Sequence, residues 1–196
     1  MNTESIYDYL ERIANLIRTD VRKAGVAKGL QPVQLEALHY LSRCNRYSNT
    51  PVAVADYLGL TKGTVSQTLG VLESSGLIKK EADLNDRRVV HLALTEEGSH
   101  VVSDAIPPNI LKSAVDGLSD SSRNEITETL NRILRELQAA NKLKTFGSCK
   151  TCRYHLIEED GRRRCGLTME WLTQSDSEKI CREHQPAVES EVEENP

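Results

Sequence analysis

The chain has 196 residues, of which 38% are hydrophobic and 4% aromatic, and this is enough for one ordinary domain plus an extra segment. No apolar run approaches the roughly 18 residues of a membrane span, and the polar, acidic N-terminus is unlike a secretory signal. We therefore expect a cytoplasmic protein without a membrane partner, in which long-lived disulfides are disfavoured. The net charge of −4 comes from four glutamates in residues 187–196, which we predict to be a disordered acidic tail.

The first third of the chain carries the start signals of three helices. Apolar residues at helical spacing line residues 6–21, and a loop is expected over residues 25–29. Pro32 suits the first turn of a second helix, because its missing N–H costs nothing there. Thr50 and Pro51 form a similar start for a short third helix that ends near Gly59.

Residues 60–98 predict a helix, a two-stranded hairpin and a further helix. Thr61 is a good N-cap, and Gly76 suits the left-handed position after the helix. Strand-like residues 77–78 and 89–94 flank a charged turn at residues 83–88. A small polar helix before a basic hairpin is the layout of a winged helix-turn-helix, which reads DNA through both grooves. The apolar stripe of the helix is Val65, Leu69 and Leu72, and its candidate DNA-reading residues are Thr61, Lys62, Thr64, Ser66, Gln67 and Thr68.

The ordered run S-G-L-I-K-K, N-D-R-R and L-A-L-T-E-E-G resembles the MarR family of bacterial transcription regulators. The resemblance covers residues 5–143 and implies a mainly α fold with a small β-hairpin wing and dimerising terminal helices. It also implies that Asp86 holds Arg88, with Arg87 beside it, for insertion into a minor groove. The alternative is a surface salt bridge that only stiffens the hairpin.

The helices after the hairpin favour a homodimer. Thr95 caps a fifth helix, the pair Pro107-Pro108 breaks it, and a long helix follows from about Ser119. The terminal helices have more apolar surface than a small domain can cover, so we expect a partner subunit to cover it. The alternative is a monomer whose terminal helices pack on its own winged domain.

Residues 146–186 have a different character and contain four of the five cysteines: Cys149, Cys152, Cys165 and Cys181. The fifth, Cys44, is expected to be a small buried hydrophobe. A segment this short rarely forms a stable core without a disulfide or a metal site to cross-link it. Because disulfides are disfavoured in the cytoplasm, a metal or cluster is the favoured cross-link. One C-x2-C pair with two single cysteines resembles small [4Fe-4S] modules of the high-potential type. Zn²⁺ is the alternative, held either by the same four cysteines or with Cys181 and His184 as its second pair, which would leave Cys165 out.

The sequence thus predicts three parts: a winged-helix domain at 1–143, a metal- or cluster-binding module at 146–186 and the tail at 187–196. We expect a homodimeric repressor that binds a palindromic double-stranded DNA operator and senses redox, oxygen or metal state through the module. The link at residues 143–146 would couple the module to the dimerising helix. One alternative is a structural zinc site with a small-molecule effector between the dimer and DNA-binding parts, and another is an iron-sulfur redox protein. No nucleophile–base pair stands out, so the chain is not expected to be an enzyme.

Overall fold

The computed structural model describes residues 3–84, 86–140 and 144–187. The elements before residue 141 are helices around a single hairpin. None of the helices in the described ranges is long and apolar enough to cross a membrane. In chain order the elements are α1 (Thr3–Ala27), α2 (Pro32–Arg43), α3 (Pro51–Leu58), α4 (Lys62–Ser74), β1 (Ile78–Ala82), β2 (Val90–Leu94), α5 (Glu96–Ala105), α6 (Asn109–Asp116) and α7 (Asp120–Ala140).

The predicted helix starts are confirmed by their caps. The Thr50 hydroxyl accepts from the Ala53 N–H at 3.3 Å, and the Thr61 hydroxyl accepts from the Thr64 N–H at 3.2 Å. Each cap satisfies a backbone donor that the first helical turn leaves without a partner. The threonine after the wing, Thr95, caps α5 in the same way.

The predicted loop at residues 25–29 is wrong in its first part, since α1 continues through Ala27. Gly25 is buried inside the helix rather than in a turn. A Cβ at this position would lie 3.4 Å from the Leu30 carbonyl oxygen and 3.5 Å from Leu35 Cδ2. These are ordinary van der Waals distances, so α1 continues through Gly25 without a steric requirement for glycine.

The hydrophobic core of the winged helix lies between α2, α4 and the hairpin. Leu35 and Leu38 of α2 are fully buried, as is Leu72 of the predicted α4 stripe. Strands β1 and β2 pair antiparallel from Ile78 opposite Leu94 to Ala82 opposite Val90, so the predicted hairpin is confirmed.

Gly98, the glycine of the L-T-E-E-G run, is required for steric reasons. A Cβ on Gly98 would lie 2.1 Å from the Leu77 carbonyl oxygen. That same oxygen accepts a hydrogen bond from the Thr95 N–H at 3.1 Å. Helix α5 can therefore start directly against the wing only if residue 98 has no side chain.

The outer faces of the first and last long helices are not covered within one chain. Ile6 and Ile13 of α1 are each 49% exposed, and Leu130 and Leu134 of α7 are 48% and 54% exposed. Helix α1 still packs against the core of its own winged domain through Val21 and Ala24. No residue of α7 is buried, so this helix covers no apolar face within one chain.

The C-terminal segment folds into a small unit of its own. Its elements are a 3₁₀ turn at Cys149–Thr151, the antiparallel strands β3 (His155–Ile157), β4 (Arg163–Cys165) and β5 (Trp171–Leu172), and the short helix α8 (Gln174–Glu178).

This unit packs on the winged helix through Phe146. The Phe146 ring lies 6.0 Å from the Tyr40 ring and 5.1 Å from the Tyr57 ring, both near edge-on. It belongs to the same buried hydrophobic cluster as the α2 leucines. The predicted boundary at residue 143 and its link to the dimerising helix fall on residues 141–143, which lie outside the described residues, as do residues 188–196 of the predicted tail.

Candidate functional site

Helix α4 presents a polar surface on the side opposite the core. The predicted residues Thr61, Lys62, Thr64, Ser66 and Gln67 are all exposed. Side chains of these types can donate to or accept from base edges and phosphates in a major groove.

Thr68 does not belong to that surface. It is only 8% exposed, so the prediction that it lies on an outer face of the helix is wrong. Thr68 comes three residues after Val65 and four before Leu72, and this spacing puts it on the buried side of α4.

The wing turn holds one arginine in a fixed orientation. Arg88 Nε donates to Asp86 Oδ1 at 2.9 Å, and Arg88 Nη2 donates to Asp86 Oδ2 at 2.8 Å. The Asp86 N–H donates in turn to Asp83 Oδ1 at 2.8 Å. The hydrogen bonds from Arg88 lower the pKa of the Asp86 carboxyl, so the pair stays ionised. Arg87 is exposed beside it.

This geometry suits insertion into a narrow minor groove. The Arg88 side chain is 91% exposed although both carboxylate oxygens of Asp86 hold it. A guanidinium that is already oriented loses less conformational freedom when it enters a groove of negative potential. Exposed α4 and the wing arginine therefore form a two-part candidate DNA surface.

A cavity of about 480 Å³ opens between α3, α4 and the wing. Its walls are mainly apolar, and two lysines, Lys62 and Lys80, line it. The lining residues are Pro51, Val52, Lys62, Val65, Ser66, Leu69, Lys80 and Val90.

The four C-terminal cysteines lie on three stretches of chain, and all are free thiols. Cys149 begins the 3₁₀ turn and Cys152 directly follows it, where the Cys152 N–H donates to the Cys149 carbonyl at 3.0 Å. Cys165 ends β4 opposite His155. Cys181 approaches the turn through its N–H, which donates to the Gly147 carbonyl at 2.9 Å.

The chain after Cys181 closes over the turn. The Gln185 N–H donates to Cys152 Sγ at 3.4 Å, and Cys152 and Pro186 form an isolated bridge. A backbone N–H that donates to a cysteine sulfur stabilises the thiolate form that a metal ligand needs.

Burial raises the pKa of the Cys149 thiol to about 12, and the charges of Cys181, Cys165 and Cys152 add to this rise. The other three cysteines are therefore near enough to Cys149 for their charges to act on its thiol. Among the described residues, however, no three histidine, cysteine or acidic side chains are placed to hold a metal ion. The chemistry of the four cysteines nevertheless fits a metal group, because four thiolates are the ligand set of structural zinc and of a [4Fe-4S] cluster alike.

His184 is engaged elsewhere. Its Nδ1 lies 2.7 Å from the Thr145 hydroxyl and its Nε2 lies 3.0 Å from the Thr151 hydroxyl. The ring packs against Gly147, where a Cβ would lie 2.5 Å from it. Burial also lowers the pKa of His184, which favours the neutral ring. With both nitrogens hydrogen-bonded, His184 is a structural residue in this arrangement.

Helices α3 and α4 followed by the β1–β2 hairpin define a winged helix-turn-helix protein. Residues 28–89 match the MarR family model. The chain is 27% identical over 113 residues to "Transcriptional repressor MprA" of Escherichia coli (strain K12), and the match covers 57% of this chain and 64% of MprA. It thus spans less than two thirds of the length of that relative.

Solved structures share the fold. The S. aureus MepR–DNA complex has a TM-score of 0.53 at 26% identity and covers 66% of this chain and 97% of MepR. CouR from Rhodococcus jostii RHA1 bound to p-coumaroyl-CoA has a TM-score of 0.53 at 27% identity and covers 65% of this chain and 90% of CouR. The chain is thus similar in sequence and in fold to MarR family winged-helix proteins.

Proposed function

We propose that this chain is a sequence-specific, DNA-binding transcription regulator that acts as a repressor. The observation that carries the proposal is the wing arginine, Arg88, which Asp86 holds in an exposed, preset orientation next to the polar face of α4. The MepR–DNA complex, which has the same fold, and the repressor MprA support it.

The regulator works as a homodimer on a palindromic operator. The open apolar faces of α1 and α7 are the surfaces that a second copy would cover. Pairing through them would present two α4 helices to half-sites about one helical turn of DNA apart.

The four cysteines hold a [4Fe-4S] cluster, and Cys149, Cys152, Cys165 and Cys181 are its ligands. The four free thiols of residues 149–181, the Gln185 N–H that donates to Cys152 Sγ and the hydrogen bonds of both His184 nitrogens support this set. Such a cluster would supply a state that changes with oxygen, redox conditions or iron supply.

A second candidate is a regulator with an organic effector, in which the module is structural. The cavity of about 480 Å³ beside α4 favours it, because Lys62 and Lys80 line a mainly apolar space that suits a small organic anion. The relative CouR was solved with p-coumaroyl-CoA bound. An iron-sulfur redox protein without DNA binding is the least supported candidate, because it leaves the α4–wing surface without a role.

The test combines three measurements on anaerobically purified full-length protein. We expect iron with a brown absorption spectrum, a dimer by light scattering, and salt-dependent binding to the DNA upstream of its own coding sequence. Colourless protein with stoichiometric zinc would contradict the cluster. Binding no stronger to that DNA than to a scrambled duplex would contradict the regulator.

A further inference from the structure

The four-cysteine module is joined to the loop between α2 and α3, which we define as residues 44–50. On the module side, Ile180 pairs with this region through its backbone. Its N–H donates to the Arg43 carbonyl and its carbonyl accepts from the Asn45 N–H, both at 2.9 Å. Ile180 directly precedes Cys181, so a candidate ligand is one residue from the loop.

Further contacts fix the same loop to the module. The Arg182 N–H donates to the Ser48 hydroxyl at 2.8 Å, and Ser48 is fully buried. Arg46 Nη2 and the Tyr47 hydroxyl both donate to Glu170 Oε2, at 2.9 and 2.6 Å. The loop is therefore held from two sides of the module, next to Cys181 and beside the β4–β5 turn.

The other end of the loop is bonded to the wing through Asn49. The Leu92 N–H donates to the Asn49 carbonyl at 2.7 Å, and Asn49 Nδ2 donates to the Leu92 carbonyl at 3.1 Å. Asn49 Oδ1 lies 2.6 Å from His91 Nδ1. Asn49 thus ties the loop to β2 by both its backbone and its side chain.

The hydrogen bonds continue from β2 to the wing arginine. His91 Nε2 lies 3.1 Å from Asp83 Oδ2, and Asp83 Oδ1 accepts from the Asp86 N–H. Asp86 is the residue that orients Arg88. A continuous series of contacts therefore leads from the chain beside Cys181, through the loop, to the arginine proposed to enter the minor groove.

We infer that the α2–α3 loop transmits the state of the four-cysteine site to the wing, and that Asn49 is the positioning residue through which it acts. The inference rests on the proposed function. It differs from coupling through α7, where Gln138 Nε2 donates to the Thr145 carbonyl at 2.8 Å. Loss of the metal group would free the chain around Cys181, loosen the loop and let the wing arginine lose its orientation.

The first test compares operator affinity of metal-loaded and chelator-treated protein at fixed salt. For wild type we expect a change of about tenfold, within the range usual for coupled sites. Asn49→Ala should keep its metal content but show a change of less than about twofold, because its side-chain bonds to the wing are gone. The matched control is Gln67→Ala, which should weaken binding through α4 and keep the full wild-type ratio. The inference would be overturned if the ratio of operator affinities between metal-loaded and chelator-treated protein were the same in Asn49→Ala as in wild type.

The second test uses hydrogen exchange and needs no DNA. Cys152→Ser alters the site at a cysteine whose sulfur is bonded to Gln185 and not to the loop. We expect faster exchange in peptides covering residues 44–50 and 89–92, with peptides covering residues 126–138 unchanged. Faster exchange confined to residues 126–138 would overturn the inference in favour of α7.

The two tests separate this inference from the proposed function. Wild-type protein without metal or without operator binding would contradict the proposed function alone, since the exchange experiment would still report whether the site and the wing are linked. A normal wild-type response that Asn49→Ala retains would contradict only the role of the loop.

Discussion

Two hairpins in this molecule carry the same Asp-x-Arg turn, and only one of them leaves its arginine free. In the wing, the Arg88 N–H donates to Asp86 Oδ1 at 3.0 Å, and in the module the Arg162 N–H donates to Asp160 Oδ1 at 3.0 Å. Each arginine side chain also donates to its aspartate. The local chemistry of the two turns is therefore the same.

The two arginines differ in what lies against the flat face of the guanidinium group. Arg162 lies over the Trp171 ring, 4.0 Å from its centroid, whereas the Arg88 side chain is 91% exposed. Stacking on an indole occupies the face that would otherwise approach a nucleic acid. The comparison teaches that the tertiary structure decides whether the arginine of such a turn stacks on an aromatic ring or extends into solvent.

The supports of the two hairpins differ as well. The wing rests on the buried hydrophobic cluster of the winged helix, with Ile78 and Leu92 each 2% exposed. In the described residues 147–187, the buried hydrophobic side chains are Cys149 and Leu172. A unit with so small a core depends on its thiols and on its contacts with the winged helix.

The largest effect should follow from replacing any one of the four cysteines of the module. Changing any one of Cys149, Cys152, Cys165 or Cys181 to Ser should reduce metal content to background, because a three-thiolate site is incomplete. Trp171 is the only tryptophan, so its emission should shift to the red as the module loosens while the helical circular dichroism persists.

The matched controls for this prediction are Cys44→Ala and His184→Ala. Cys44 is buried in the winged-helix cluster, and both ring nitrogens of His184 are bonded to threonines. Both variants should retain the metal, and loss of zinc in His184→Ala would show a three-cysteine, one-histidine site instead.

The next largest effect should come from Phe146, through which the C-terminal module joins the buried core of the winged helix. Phe146→Ala should lower the free energy of unfolding by about 3–5 kcal/mol, the usual cost of removing a buried phenylalanine. Leu167→Ala in the same module is the control, because Leu167 is 51% exposed and should change stability by less than about 0.5 kcal/mol. Denaturant unfolding of both variants measures the difference, and equal stabilities would mean that the module is energetically independent of the winged helix.

Replacing the two arginines tests the comparison of the hairpins directly. Arg88→Ala should weaken operator binding by about 1–3 kcal/mol per subunit, since a minor-groove contact is lost. Asp86→Ala should lose part of that energy because the arginine is no longer oriented. Arg162→Ala, in the same local turn, should bind the operator like wild type in fluorescence anisotropy. Equal losses from Arg88→Ala and Arg162→Ala would place the module hairpin on DNA too.

The smallest effects should come from the threonine that follows each sheet. Thr95 accepts from the Gly98 N–H at 3.0 Å and caps α5, and Thr173 accepts from the Asp176 N–H at 3.1 Å and caps α8. Removing either cap should cost about 1 kcal/mol. Thr95→Ala should lower the thermal midpoint of the whole chain, whereas Thr173→Ala should change mainly the Trp171 emission.

Much of the winged helix was predictable because its signals are local. The caps at Thr50, Thr61 and Thr95 bond to groups three residues away, and the stripe of α4 repeats at the helical period. The Asp86–Arg88 pair lies within one turn of the hairpin. Even the burial of Thr68 follows from its spacing with Val65 and Leu72. Such features depend on neighbours in sequence, so the sequence by itself determines them.

The tertiary structure alone decided where the C-terminal module packs on the winged helix. Arg46 and Glu170 are 124 positions apart, and Arg182 and Asp56 are 126 apart, yet each pair forms an ion pair that fixes the module to the winged helix. The link from Asn49 to His91 spans 42 positions. No local period or cap encodes these partners, because each pair comes together only after α2, α3 and the hairpin have packed around one core and the module has closed against them.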